Sequence, residues 1–261
     1  MRVAANLNML FTDVPLLQRY EKAARAGFRL VEVSIPYSET AESLREAADN
    51  HSLQHVLINA PPGDWSAGFR GIASLASQRS AFIPSLQSAI SYAKTLSCPR
   101  VHIMAGIPVE NADKDAADDT FLANLTIAAR QLEEENLLCL IEPINPITIP
   151  GYHLNSFQQA LTVLDRVASP NLKMQYDLFH AAQIEFPLPR DIKLWQEKIG
   201  HIQVAQSPRR DQPDAPGHIN FAEELEWLRK CGRDWVIGAE YSASGDEKEG
   251  FGWVAKFGLL F

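Results

Sequence analysis

Short runs of Val, Ile, Leu and Ala alternate with longer amphipathic stretches along the whole chain. The short runs, at 2–8, 30–35, 54–59, 100–104, 138–142, 172–177, 199–204 and 234–240, predict strands. The stretches at 15–26, 40–50, 78–96, 117–135, 156–168, 188–197 and 221–230 predict helices, and a last one covers 249–257. In the fourth helix Leu122, Leu125, Ala129 and Leu132 share one face. Asp13 and Pro15 mark the start of the first helix. Ser156 and Gln159 have capping-box spacing, and Gly27 and Gly232 stand where left-handed C-terminal caps belong.

Strand–helix alternation implies a parallel sheet, because parallel strands need crossover connections. Eight such units with no leftover block predict a single α/β domain over 1–261, a (β/α)8 TIM barrel. An open doubly wound sheet would call for a Gly-rich turn after the first strand, and Ala5-Asn6-Leu7-Asn8 has none.

In such a barrel alternate residues point inward, and the C-terminal strand ends build the active site. The last inward positions are Asn6 or Asn8, Glu32, Asn59, His102, Glu142, Asp177, Gln203 and Glu240. Any one strand-end carboxylate reads as a solvated loop residue or a helix cap. Together, Glu142, Asp177, Gln203 and Glu240 put four oxygen-bearing groups on consecutive strands, where idle polar groups would be costly. An all-oxygen set suits a hard divalent cation, Mg2+ or Mn2+, rather than thiolate-held zinc. Glu142 and Glu240 would converge across the mouth and could shuttle a proton.

His180 falls in the predicted loop after strand 6, where it either donates to a substrate oxygen or is an exposed histidine. His102 is inward, and spacing alone reads it as a core histidine. The stretch from Asn59 to Gly71 is either a lid or a surface excursion. Arg209 and Arg210, after strand 7, are either a carboxylate clamp or a solvated pair. His51, His55, His153, His201 and His218 carry no signal of their own.

The 261 residues hold 24 basic and 32 acidic side chains, a net charge of −8. With no basic cluster beyond Arg209-Arg210, nucleic acid is an unfavoured partner. No apolar run approaches the ~20 residues of a membrane helix, and Asn6 and Asn8 come too early for a signal peptide. Cys98, Cys139 and Cys231 are odd in number and lack Cys-x-x-Cys spacing, which disfavours a disulfide framework and points to the cytoplasm. A homo-oligomer is compatible with all of this.

The chain resembles the hydroxypyruvate isomerase family, within the xylose-isomerase-like barrels. The resemblance rests on Ala4-Ala5-Asn6-Leu7-Asn8-Met9-Leu10-Phe11, Ile58-Asn59-Ala60-Pro61-Pro62-Gly63-Asp64 and Val101-His102-Ile103-Met104-Ala105-Gly106. It continues through Leu140-Ile141-Glu142-Pro143-Ile144-Asn145, Asp177-Leu178-Phe179-His180, His201-Ile202-Gln203-Val204-Ala205-Gln206 and Gly238-Ala239-Glu240-Tyr241. The order and spacing of these strings span nearly the whole chain. The resemblance implies Glu142 and Glu240 as the catalytic pair. It implies Glu142, Asp177, Gln203 and Glu240 as holders of a divalent metal. It places His180 and Arg210 near the substrate, and His102 and Asn59 join them as candidates.

The implied reaction interconverts hydroxypyruvate and tartronate semialdehyde through an enediolate, so the expected partner is a small hydroxy-oxo acid. The alternatives are an isomerase of a four-carbon 2-oxo acid and a ketose 3-epimerase. The epimerases usually place histidine where Gln203 stands. An abasic-site nuclease, which shares this barrel type, would need a histidine-rich zinc site. The chain departs from the family pattern at Gln212, at His218, at Ala181-Ala182-Gln183 and at Ala243-Ser244-Gly245, all on mouth-facing loops, and these bear on the substrate.

Overall fold

The computed structural model describes residues 1–109, 113–184, 195–242 and 250–261. Eight parallel strands close into a barrel in sequence order. They are β1 (Arg2–Asn6), β2 (Leu30–Val33), β3 (Gln54–Asn59), β4 (Arg100–His102), β5 (Leu138–Ile141), β6 (Leu172–Asp177), β7 (Ile199–Val204) and β8 (Val236–Ala239). The ring is shut by β1 pairing with β8, with Ala5 opposite Ala239. The described helices are α1 (Leu16–Arg25), α2 (Ala41–Asn50), α3 (Arg79–Leu96), α4 (Lys114–Glu134), α5 (Phe157–Val167), α6 (Leu178–Ile184), α7 (Phe221–Lys230) and α8 (Gly252–Lys256). None of them is long and apolar enough to cross a membrane.

Strands buried on both faces explain the near-continuous apolar runs. Outward residues such as Val3, Val31, Val101, Ile141, Met174 and Ile202 pack in one large cluster with the helices. A smaller cluster fills the lower barrel with Ala4, Leu30, Val56, Leu57, Leu140 and Val236. Arg100 plugs the floor, donating to the carbonyls of Gly200 and Val56.

Several local expectations change. Strands end one to two residues earlier than the pattern suggested at β1, β2, β4, β5 and β8. Glu142 and Glu240 therefore sit one residue past their strands. Asp13 does not cap α1. The helix starts at Leu16 after Pro15, and Asp13 pairs with Lys22 at 2.6 Å. Ser156 does cap α5 through the Gln159 amide, but the Gln159 side chain reaches back to the Asn155 N–H rather than to Ser156. Leu122 lies at the edge of the buried face of α4, which centres on Phe121, Leu125, Ala128 and Leu132. Gly27 (φ +106°) and Gly232 (φ +70°) adopt the expected left-handed conformation. The helix expected at 188–197 falls largely outside the described residues, as does Ser244.

His55, on β3, is buried and accepts or shares a 2.7 Å hydrogen bond with the Tyr20 hydroxyl. Burial pushes its pKa down to about 4, from 6.5. The unfolded chain therefore takes up this proton first as pH falls. The stabilising contribution is complete above pH 6.5 and is lost on going down toward pH 4, with a slope of up to about 1.4 kcal/mol per pH unit. In urea unfolding between pH 7 and 4.5, His55→Gln should lose stability less steeply than the wild type. Parallel slopes would show that His55 does not titrate this way.

Candidate active site

The upper barrel is polar by construction. Counting by two from the apolar floor brings Asn6, Glu32, His102, Gln175, Asp177, His201 and Gln203 inside, all buried. A register shift between Met174 and Gln175 sets Gln175 opposite His201 and Asp177 opposite Gln203.

Glu32 is the hub of the lower polar layer. Its carboxylate accepts from His201 Nε2 at 2.5 Å, Gln203 Nε2 at 2.8 Å and Asn6 Nδ2 at 3.2 Å. The facing residue is Gly238 because a Cβ there would lie 2.1 Å from Glu32 Oε1. Gln203 Oε1 accepts from Gln175 Nε2 at 2.5 Å. Asn6 Nδ2 also reaches Glu240 Oε1 at 3.1 Å, linking this layer to the mouth.

Above it stand Glu142, Asp177 and Glu240. Arg210 is the cation between two of them. Its Nη2 lies 2.6 Å from Glu240 Oε2 and 3.5 Å from Asp177 Oδ2, and its ring-stacked guanidinium sits 4.9 Å from the Phe179 centroid. Arg210 holds this position with φ +59°, a left-handed backbone that a non-glycine residue rarely adopts. Arg209 turns away to Asp211 and is exposed. The solvated reading therefore holds for Arg209 and fails for Arg210, which is committed to Glu240 at the cleft.

Burial first, then Glu240 and Asp177, pushes the Glu142 pKa well above the carboxylate range. Burial raises Glu240 to about 7, with Arg210 opposing and Asp177 adding to the rise. Asp177 is also raised by burial, against the pull of Arg210. Burial works against the charge of Arg210, but Glu240, Asp177 and Glu142 outweigh it.

His180 is not on a loop. Asp177 Oδ1 accepts the Phe179 N–H at 2.7 Å, which starts α6 directly after β6 and puts His180 in its first turn, buried. Asn145 fixes its tautomer. The Asn145 oxygen accepts from the Ile147 and Thr148 amides, so its nitrogen must face His180 Nδ1, at 2.7 Å, joined by the Asn145 backbone N–H at 3.3 Å. With Nδ1 accepting, Nε2 carries the hydrogen. It points to Asp177 Oδ2 at 3.7 Å and Glu142 Oε1 at 3.9 Å. Burial, Arg210 and His102 keep the ring neutral. His102 is likewise neutral, its pKa pushed down to about 3 by burial and His201, with Nδ1 3.6 Å from Glu142 Oε2. Asn59 lines the same cleft, its backbone carbonyl held by the Tyr37 hydroxyl at 2.6 Å.

The cleft measures about 530 Å³ and is lined by Asn59, His102, Glu142, His180, Arg210 and Glu240 together with Trp65 and Arg70. Glu142, Asp177 and His180 each offer a ligand atom within 4.8 Å of the others. Glu142 Oε1 is buried with no hydrogen-bond partner. Two buried carboxylates and a partly buried third beside one guanidinium, with an orphan oxygen among them, fit a divalent cation. Sequence reading gave Glu32 and Asn6 no role and passed over His201 and Gln175. The same period of two that found Gln203 points to His201.

A family model described as xylose isomerase-like TIM barrel matches residues 20–257. The Caenorhabditis elegans "Putative hydroxypyruvate isomerase" is 53% identical over 100% of this chain and 98% of its own. The 2-oxo-tetronate isomerase of Cupriavidus necator is 37% identical over 98% of each. A crystal structure titled AP endonuclease, family 2, from Brucella melitensis superposes with a TM-score of 0.94 at 36% identity, covering 98% of both chains. The chain belongs to the xylose isomerase-like TIM barrel family, and it is an isomerase of the hydroxypyruvate and 2-oxo-tetronate isomerase kind.

Replacing Glu32 by Gln leaves three inward donors sharing one acceptor oxygen. Stability should fall by about 3–5 kcal/mol, as for a broken buried pair. Chemical unfolding of Glu32→Gln measures it, and a loss under about 1 kcal/mol would mean the hub is not a hub.

Proposed function

We propose that the chain, acting as one barrel domain over 1–261, interconverts hydroxypyruvate and tartronate semialdehyde, with Glu142 and Glu240 as the proton-transferring pair. The observation that carries this reading is the pair of carboxylates facing one cleft, Glu142 buried and Glu240 half-buried, with Glu240 near 7 and hence near balance between acid and base at neutral pH. One carboxylate takes a proton from the hydroxyl-bearing C3 of hydroxypyruvate, leaving an enediolate. The other returns a proton to C2, and the hydroxyl proton on O3 passes to O2, so that the ketone becomes an alcohol and the alcohol an aldehyde. His180 donates Nε2–H to a substrate oxygen. Arg210 holds Glu240 in place.

Glu142, Asp177, Gln203 and Glu240 would hold a divalent cation, Mg2+ or Mn2+. Bound there, it supplies Lewis-acid stabilisation of developing negative charge on oxygen. His180 is left out of this set because its hydrogen-bonding makes Nε2 a donor. The cleft is roomy for a three-carbon acid, and together with the relatedness to the Cupriavidus necator enzyme this supports a four-carbon 2-oxo acid as the second reading. The unpaired cysteines support a cytoplasmic setting.

Glu142→Gln and Glu240→Gln should each lower kcat on hydroxypyruvate about 10²–10⁴-fold while retaining the fold. Full activity in either removes that residue from the mechanism. Chelator-stripped protein should lose turnover and regain it with Mg2+ or Mn2+. Restored turnover of 2-oxo-tetronate but not of hydroxypyruvate would favour the second reading.

A further inference from the structure

We propose that Arg70, stacked on Trp65, captures the substrate's carboxylate and makes this cleft select acids over neutral sugars. The proposal rests on the isomerase reading above and names what decides its substrate class.

A carboxylate entering a cleft already walled by Glu142 and Glu240 is repelled unless a cation receives it. Among the described residues lining the cleft, the cationic side chains are Arg210 and Arg70. Arg210 is spent on Glu240 and Asp177. His102 and His180 both face Glu142, at 3.6 and 3.9 Å, and the other ring nitrogen of His180 is taken by Asn145, so neither stands free for an incoming carboxylate. Arg70 has no carboxylate within ion-pairing distance among the described residues. Its Nη1 donates to the carbonyls of Trp65, at 3.1 Å, and Phe69, at 2.8 Å. Those two bonds orient the planar guanidinium and leave its other N–H groups for a two-point grip on a carboxylate.

Arg70 is also a held residue rather than a loose surface arginine. Its Cζ lies 3.8 Å from the Trp65 ring centroid, a contact that shields one face of the charge from water. Trp65, 44% exposed, is one of the few large apolar side chains left open to solvent, and it stands at the cleft. The loop carrying both is built to hold its shape. Asp64 Oδ1 accepts from the Ser66 amide at 2.9 Å, the Ser66 hydroxyl at 2.6 Å and the Ala67 amide at 3.2 Å. Gly71, next to Arg70, donates to the Pro62 carbonyl at 2.9 Å and closes the loop's base. It has φ +111° and sits so close to β4's extension that a Cβ would lie 2.3 Å from the Met104 carbonyl oxygen. Arg70 is therefore one residue from a rigid anchor.

The test uses metal-loaded full-length enzyme, wild type, Arg70→Gln and Arg70→Lys. Turnover is measured on hydroxypyruvate and on dihydroxyacetone, which carries a hydroxymethyl group in place of the carboxylate. Binding of D-glycerate and of glycerol is measured by calorimetry. Arg70→Gln should raise KM for hydroxypyruvate and Kd for glycerate about 10- to 100-fold, the weight of a charge-assisted hydrogen-bond pair, with a much smaller change in kcat. The preference for hydroxypyruvate over dihydroxyacetone should fall by the same factor, and Arg70→Lys should recover part of it. Equal losses on both substrates would make Arg70 a loop staple and overturn the proposal. So would an unchanged glycerate Kd, or no preference for glycerate over glycerol in the wild type. Failure of the isomerase reading is a separate result, absence of hydroxypyruvate turnover by the wild type, and leaves the glycerate comparison decisive for Arg70.

Discussion

Three carboxylates, buried Glu142 and Asp177 and half-buried Glu240, crowd together around a single guanidinium, that of Arg210. Like charges this close and this dry cannot all ionise at ordinary pKa values, and both Glu142 and Glu240 are pushed upward. Much of the rest of the molecule answers to that constraint. Arg210 accepts a left-handed backbone to reach it. His180 is held as a neutral donor by Asn145. The neighbouring Glu142 carboxylate is thereby kept from being paired with a charged histidine, and the cluster could hold a metal ion.

The layer below keeps this arrangement in register. Glu32 accepts from His201, Gln203 and Asn6, and Asn6 passes the constraint up to Glu240. The Gln203 amide is held at both ends, its nitrogen donating to Glu32 and its oxygen accepting from Gln175. The glycine at 238 is the space that Glu32 occupies. Stability and site geometry are therefore two readings of one network, a polar core in a barrel whose lower half is apolar in the usual way.

The barrel was legible because its signal is periodic. Eight apolar runs and the helical stretches between them survive small errors in where each one ends. Glu142, Asp177, Gln203 and Glu240 were legible for the same reason, since each continues the inward parity of its strand. What escaped was everything set by a partner remote in sequence. His201 obeys the parity but gains meaning only from Glu32, 169 positions away. The first turn of α6 was read as loop because its cap is Asp177, a residue already assigned to a strand and to the site.

The sequence by itself determined the order of strands and helices, the apolar lower barrel and which side chains could face inward, because these follow from local period and from burial on both faces of a parallel sheet. Only the tertiary structure decided which of those inward groups meet. That Arg210 binds Glu240 while Arg209 faces water, that Asn145 sets the proton on His180, and that Arg70 is, among the described residues lining the cleft, the cation without a carboxylate all depend on distances across the barrel mouth. Electrostatic and hydrogen-bond energies are settled over a few ångströms of space, and closure of the ring brings those ångströms together from residues tens to hundreds of positions apart.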